Sequence, residues 1–189
     1  YFVGIGGIGM SAIALYFIKG GFTTGGYDRR GSRITVNLIE QGCSVTYEDD
    51  PLILPEIFRN TANRERILIV FTPAIPAENK ILSYFRDNGY RILKRSEILG
   101  LISSNSDTLA VAGTHGKTTV STMTAHLLKQ SHVDCSAFLG GISKNYDTNL
   151  LLGESRYTVI EADEFDRSFH RLTPLMAVIT SVDADHLDI

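Results

Sequence analysis

The sequence from Thr108 to Thr119, Thr-Leu-Ala-Val-Ala-Gly-Thr-His-Gly-Lys-Thr-Thr, joins an apolar run directly to a glycine-flanked Lys-Thr-Thr. This order is typical of a strand, a phosphate-binding loop and a helix that begins near Lys117. Gly113 and Gly116 let the chain turn tightly, so that the N–H groups of the loop and of the first helical turn can face an anion. We therefore expect residues 113–119 to bind the phosphates of a nucleotide.

The residue types in this loop suggest how ATP would be bound. We expect Lys117 to contact the β- and γ-phosphates and the Thr118 hydroxyl to contact Mg²⁺. The other residues expected to line the phosphates are Gly113, Thr114, His115, Gly116 and Thr119. The loop is shorter than a strict Walker A motif, because position 111 is Val and not Gly. The alternative is a helix N-terminus with a solvated lysine.

Two further apolar runs in the same half of the chain end in acidic residues. Residues 159–166 read Val-Ile-Glu-Ala-Asp-Glu-Phe-Asp, and residues 182–188 read Val-Asp-Ala-Asp-His-Leu-Asp. Parallel strands end at one edge of a sheet, so we expect these groups to converge with the phosphate loop and to hold a hard cation. A solvated acidic turn is the alternative for the first segment, and a structural histidine is the alternative for His186.

The chain opens with a second glycine-rich segment, Gly-Ile-Gly-Gly-Ile-Gly at 4–9, between a predicted strand and a predicted helix. This G-x-G-x-x-G pattern favours a diphosphate at the helix N-terminus. Asp28 follows the second predicted strand, where an acidic residue would meet a ribose hydroxyl, so an NAD enzyme is a rival interpretation. Asp28 also suits a turn, and the glycines also suit tight packing between strand and helix.

A stiff connector, Thr-Pro-Ala-Ile-Pro at 72–76, follows the apolar strand predicted over residues 67–71. Ligands of open α/β sheets bind at the carboxyl ends of strands, so Thr72 and the Ala74 amide are candidate ligand contacts. A rigid connector without ligand contact is equally compatible with this sequence.

The pattern of the whole chain is an alternation of strands and helices, which predicts an α/β protein with mostly parallel sheets. A polar stretch at 103–107 marks the domain boundary. We predict a Rossmann-like domain over 1–103 and the start of a P-loop-type ATP-binding α/β domain over 104–189. The helix after the phosphate loop, residues 120–130, is predicted to bury Met123, Leu127 and Leu128 on one face.

Composition excludes several classes of protein. The 189 residues are 43% hydrophobic with a net charge of −3, which is enough for a core and gives no general attraction to nucleic acid or to an anionic membrane. The two cysteines, Cys43 and Cys135, are expected to be reduced core thiols. The apolar first eighteen residues are too glycine-rich for a membrane span and lack the basic start of a signal peptide. Both ends suggest a part of a longer polypeptide.

Four segments together resemble the Mur ligases of peptidoglycan synthesis. They are Gly-Ile-Gly-Gly-Ile-Gly-Met-Ser at 4–11, Gly-Thr-His-Gly-Lys-Thr-Thr at 113–119, Glu-Ala-Asp-Glu at 161–164 and Asp-Ala-Asp-His-Leu-Asp at 183–188. Their order and spacing match the family over essentially the whole chain. The resemblance implies a first domain that binds the UDP part of a substrate and the beginning of a central domain that binds ATP.

The resemblance also implies roles for individual residues. The implied contacts with a UDP-sugar are Gly6, Gly7, Ile8, Gly9, Thr72 and Ala74, and Asn149 also fits the family pattern. The implied catalytic contacts are Lys117 on the ATP phosphates, Thr118 and Glu161 on one Mg²⁺ ion, and His186 on a second.

The activity implied by the resemblance is ATP-dependent carbon–nitrogen ligation. The lactyl carboxylate of UDP-N-acetylmuramate would attack the γ-phosphate of ATP, and the amine of L-alanine would then displace phosphate from the acyl phosphate. A recycling ligase that joins a peptide to the same UDP-sugar is one alternative, and an NAD(P)-binding oxidoreductase module is another. We expect a cytoplasmic bacterial protein, and we expect these 189 residues to bind substrates without turnover.

Overall fold

The computed structural model describes residues 1–162 and 169–183, and strands alternate with helices along them. The chain divides into two units, Tyr1–Arg95 and Ser96–Ile189. Each unit has one five-stranded sheet, so the predicted α/β class is confirmed. No helix of the described residues is both long and apolar enough to cross a membrane.

The first unit contains a fully parallel sheet. Its strands are β1 (Phe2–Val3), β2 (Gly25–Tyr27), β3 (Ser44–Thr46), β4 (Leu68–Phe71) and β5 (Arg91–Lys94), and its helices are α1 (Ile8–Lys19), α2 (Arg33–Glu40), α3 (Glu56–Arg59) and α4 (Lys80–Asp87). The strand order is β3-β2-β1-β4-β5, and every neighbouring pair is parallel. Strands β2 and β3 are added on one side of β1, and β4 and β5 are added on its other side. The loops after β1 and β4 therefore meet at a topological switch point.

Local sequence explains where the helices of this unit begin. Ser32 caps α2, because its side chain accepts from the Thr35 N–H while the Thr35 hydroxyl accepts from the Ser32 N–H. Asn79 caps α4, because its side-chain oxygen accepts the Leu82 N–H, and the Asp49 carboxylate accepts the N–H groups of Lys80 and Ile81. Helix α1 is buried from Met10 to Leu15, which accounts for its apolar sequence.

The second unit contains a mixed sheet. Its helices are α5 (Arg95–Ser104), which begins one residue before the unit, and α6 (Lys117–Gln130); its strands are β6 (Asp107–Ala112), β7 (Ser136–Ser143), β8 (Thr148–Leu151), β9 (Tyr157–Glu161) and β10 (Met176–Ile179). The order is β10-β6-β9-β7-β8, and only the β7–β8 pair of these described strands is antiparallel. Strand β6 therefore lies between β9 and β10, and the carboxyl ends of all three share one edge.

The division between the two units falls between Arg95 and Ser96, whereas the sequence predicts a polar linker at 103–107. The predicted linker at 103–107 is mostly structured, since Ser103 and Ser104 end α5 and Asp107 begins β6. Ser103 is fully buried, and its hydroxyl accepts from the Thr173 N–H, so this part of α5 packs within the second unit. The domain limits 1–103 and 104–189 stay a prediction.

Three local features of the structure differ from what the sequence led us to expect. Residues 51–59 form a short 3₁₀ turn followed by α3 and not one continuous helix, because Pro55 lacks the N–H group that a continuous helix needs. Strand β8 was not predicted. Met123 and Leu127 were predicted to be buried, but they are 57% and 64% exposed, and α6 instead buries Ser121 and Ala125. Both predicted free cysteines are buried.

The core of the first unit depends on Phe85. This ring is fully buried, with the ring centroids of Tyr1 and Tyr90 at 5.4 and 4.9 Å. We predict that Phe85→Ala destabilises this unit by about 3–5 kcal/mol, through lost burial and the cavity that remains. Phe22→Ala is the matched control, because Phe22 is 62% exposed. Urea unfolding followed by circular dichroism tests the difference, and equal effects of the two substitutions would contradict it.

Candidate functional site

The glycine loop of the first unit follows β1 and turns into α1. Gly4 has a φ of +90°, a left-handed conformation that favours glycine. The N–H groups of Gly4 and Ile5 both donate to the carbonyl of Tyr27 on β2, at 2.8 and 3.0 Å. Gly7 is the N-cap residue of α1 and is exposed, and no side-chain hydrogen bond caps the helix there. Gly6, Gly7, Ile8 and Gly9 thus lie at the start of a helix, as predicted for an anion site.

Asp28 holds this loop in place. One carboxylate oxygen accepts the Gly6 N–H at 2.7 Å, and the other accepts the Arg30 N–H at 3.2 Å. The side chain therefore contacts the backbone of the glycine loop directly. A direct contact between Asp28 and a substrate stays a prediction, but its role in fixing the loop is visible in the geometry.

The connector after β4 packs against the same loop. A β-carbon built on Gly4 would lie 2.8 Å from the Thr72 methyl group, so glycine is needed for this close approach. The Ile75 N–H donates to the Thr72 carbonyl at 3.1 Å, which makes a tight turn that leaves Ala74 exposed. Topology thus brings Thr72 and Ala74 beside the glycine loop. Arg95 is a further neighbour, not predicted from the sequence: its guanidinium packs on Gly9, where a β-carbon would overlap it.

A cavity of about 500 Å³ lies elsewhere in the first unit. Its lining includes Tyr1, Phe2, Thr24 and Leu68, which stand at the amino ends of β1, β2 and β4. The glycine loop and Thr72 follow the carboxyl ends, so the cavity is at the opposite edge of the sheet.

The predicted phosphate loop of the second unit, residues 113–119, runs from the end of β6 into the first turn of α6. Gly113 and Gly116 have φ values of +124° and +83°, and Gly116 is the N-cap residue of α6. Lys117 begins the helix, and its Nζ donates to the Gly113 carbonyl at 2.7 Å. The Lys117 side chain therefore lies over the loop, in the position from which an ammonium group reaches phosphates. Thr118 and Thr119, in the first turn, are exposed.

The chain after β10 is hydrogen-bonded to this loop. Ser181 accepts the Thr114 N–H with its carbonyl at 3.1 Å and the His115 N–H with its hydroxyl at 2.9 Å. The Asp183 N–H donates to the Thr114 hydroxyl at 2.9 Å. The Thr180 hydroxyl donates to the His115 carbonyl. We call residues 180–183 the strap; it fixes the backbone of Thr114 and His115.

A hydroxyl and a carboxylate meet beside the phosphate loop. The Thr118 hydroxyl donates to Glu161 Oε1 at 2.9 Å, and Glu161 ends β9, the strand next to β6. Mg²⁺ usually takes one or two carboxylates, phosphate oxygens and water, so a Glu–Thr pair at a phosphate loop fits this ion. No cluster of three His, Cys, Asp or Glu side chains suited to a metal occurs within 1–162 and 169–183. The predicted ligand His186 and the acidic residues at 163–166 lie outside the described residues.

Two further residues, not predicted from the sequence, contact Glu161. They are Ser121 on α6 and Gly140 on β7, and both had a signal in the sequence. Ser121 is three residues after Thr118, so the two share a helix face. The Gly140-Gly141 pair interrupts a strand, which often marks a close approach. Asn149 is buried on β8, and its ligand role stays a prediction.

Comparison with known proteins agrees with this geometry. Residues 1–106 match the model of the Mur ligase family catalytic domain, and residues 111–189 match that of the Mur ligase middle domain. The chain belongs to the Mur ligase family. The resemblance drawn from its four motifs is thereby confirmed.

Relatives of this Mur ligase include UDP-N-acetylmuramate–L-alanine ligases of Porphyromonas gingivalis, 60% identical, and Phocaeicola vulgatus, 58% identical. The chain is covered completely in both comparisons and spans 41% of the length of either relative. Among solved structures, the UDP-N-acetylmuramate–alanine ligase of Thermotoga maritima is 30% identical over 99% of the chain and 42% of its own length, with a TM-score of 0.87. A murein peptide ligase of Psychrobacter arcticus is 25% identical, with a TM-score of 0.81, over 99% of the chain and 43% of its own.

The Asp28 contact leads to a prediction about loop stability. We expect Asp28→Ala to destabilise the first unit by about 1.5 kcal/mol, because two backbone N–H groups lose a charged acceptor that is partly exposed to solvent. Asp87→Ala is the control, since Asp87 is exposed at the end of α4. Urea unfolding measures stability, and amide exchange at Gly6 reports the loop itself. Unchanged exchange at Gly6 would contradict the assigned role.

Proposed function

We propose that this chain is the UDP-sugar-binding and ATP-binding part of a ligase that joins L-alanine to UDP-N-acetylmuramate in peptidoglycan synthesis. The observation that carries the proposal is the Thr118–Glu161 pair beside the Gly113–Lys117 loop, which supplies groups for phosphates and for a divalent cation. The identity of the substrates is taken from the names of the relatives, because no described residue of this chain identifies the amino acid. ATP and UDP-sugars are cytoplasmic metabolites, so we also propose a cytoplasmic bacterial location.

The proposed reaction brings two anions together. The carboxylate of the sugar attacks the γ-phosphorus of ATP, ADP leaves, and the amine of L-alanine then replaces phosphate at the acyl carbon. Lys117 would offset the charge on the β- and γ-phosphates, while the N–H groups at the start of α6 would bind phosphate oxygens. Thr118 and Glu161 would hold Mg²⁺, which supplies further positive charge to the γ-phosphoryl group when bound. His186 would belong to a second metal site.

In the first unit, the glycine loop and the Thr72 turn would bind the UDP-sugar. The exposed start of α1 is suited to a diphosphate, and Thr72 and Ala74 lie beside it. A dinucleotide would use the same loop, but an NAD(P) oxidoreductase has no need of the phosphate loop at 113–119. A ligase that uses a peptide in place of L-alanine would share both sites.

Calorimetric titration distinguishes a UDP-sugar site from a dinucleotide site in the first unit. We expect UDP-N-acetylmuramate to bind, and NADH and NADPH not to bind. Gly7 has a φ of −64°, which any residue can adopt, so Gly7→Leu should fold and yet obstruct the diphosphate. We expect it to weaken binding about tenfold or more, equivalent to roughly 1.4 kcal/mol. Binding of a dinucleotide alone would overturn the ligase proposal, and an unchanged melting temperature of Gly7→Leu is the control for folding.

The second unit gives a matching test with ATP. We expect Lys117→Met to weaken ATP binding by about 2 kcal/mol or more, because a cation facing the phosphates is removed. Lys80→Met is the control, since Lys80 is an exposed lysine of the first unit. Titration with ATP and Mg²⁺ measures both variants. Equal ATP affinity of Lys117→Met and the unaltered chain would place the nucleotide elsewhere.

A further inference from the structure

The two oxygens of the Glu161 carboxylate have different partners. Oε1 accepts the Thr118 hydroxyl at 2.9 Å. Oε2 accepts the Gly140 N–H at 2.9 Å and the Ser121 hydroxyl at 3.2 Å. The carboxylate therefore has one oxygen on the side of the phosphate loop and the other held by groups of α6 and β7.

The Ser121 hydroxyl donates its hydrogen bond to Glu161 and not to a carbonyl of its own helix. Its hydroxyl is 3.2 Å from both Glu161 Oε2 and the Thr118 carbonyl, and it has one proton to donate. A carboxylate is the stronger acceptor of the two, so the proton goes to Glu161. Ser121 is fully buried, which excludes water as a competing partner.

Position 140 requires glycine because of the space available there, and not because of the backbone conformation. Its φ is outside the left-handed range, so alanine could adopt the same backbone. A β-carbon at this position would overlap the Glu161 carboxylate. Strands β7 and β9 are parallel neighbours with Phe138 opposite Ile160, which brings Gly140 to the end of β9 where Glu161 lies. The missing side chain thus lets the carboxylate reach the Gly140 N–H.

We infer that Ser121 and the Gly140 N–H are positioning groups that direct Glu161 to bind the metal ion through Oε1 alone. This inference rests on the proposed ATP and Mg²⁺ site. When the ion is bound, Thr118 and Glu161 Oε1 both present lone pairs to it, and Oε2 keeps its two hydrogen bonds. Outer-shell groups of this kind fix the orientation of a ligand before the metal arrives.

The test measures metal affinity and not turnover. Mn²⁺ replaces Mg²⁺, and electron paramagnetic resonance of free Mn²⁺ gives its affinity for the 189-residue chain saturated with a non-hydrolysable ATP analogue. We expect Ser121→Ala to weaken Mn²⁺ binding about tenfold. Affinity for the nucleotide without metal should stay unchanged, which a general structural defect would not allow. Ser121→Thr keeps the hydroxyl and should restore Mn²⁺ affinity.

Two further variants complete the test. Ser131→Ala is the matched control, because Ser131 donates only to a carbonyl of its own helix, that of Leu128, and stands at the far end of α6. Gly140→Ala should weaken Mn²⁺ binding by displacing Glu161, and it replaces Ser121→Ala if that variant does not fold. Unaltered Mn²⁺ affinity in a folded Ser121→Ala or Gly140→Ala protein would overturn this inference alone. Absence of Mn²⁺-dependent nucleotide binding in the unaltered chain would overturn the proposed ATP site as well.

Discussion

The parallel direction of the strands is the constraint on which both candidate sites depend. Parallel strands end at the same edge of a sheet, so groups that are distant in sequence meet there. In the first unit, the loop after β1 and the turn after β4 meet because their strands are neighbours. In the second, β6 lies between β9 and β10, which brings Lys117, Glu161 and Ser181 to one edge. Side-chain chemistry then determines what each edge can bind.

Features carried by short, local patterns could be predicted from the sequence. Gly113 and Gly116 predicted the turn between β6 and α6, and both have φ values that other residues rarely adopt. The run before Glu161 predicted β9 because continuous apolar residues are typical of a strand buried on both faces. The strand order could not be read from the chain, but the expectation that ligand groups follow strand ends did not depend on it.

Features that depend on packing could not be predicted in the same way. Met123 and Leu127 have helical spacing and were assigned to the core, yet the side of α6 that meets the sheet carries Ser121 and Ala125. Small residues there let the helix approach β7 and β9, and hydrophobicity alone cannot reveal such a preference. Asp28 is a similar case: a carboxylate at a strand end suggests a ligand, and only the fold reveals that backbone N–H groups occupy both of its oxygens.

The strap at 180–183 links the phosphate loop to the pairing of two strands. Strand β10 pairs with β6 from Met176 opposite Leu109 to Ile179 opposite Ala112, and beyond the two strands the Thr114 N–H donates to the Ser181 carbonyl. A shift of β10 by one residue would therefore misplace the strap as well as the hydrogen bonds between β10 and β6. An incorrectly aligned sheet would lose both sets of bonds, so the same contacts that shape the loop also favour the correct alignment during folding.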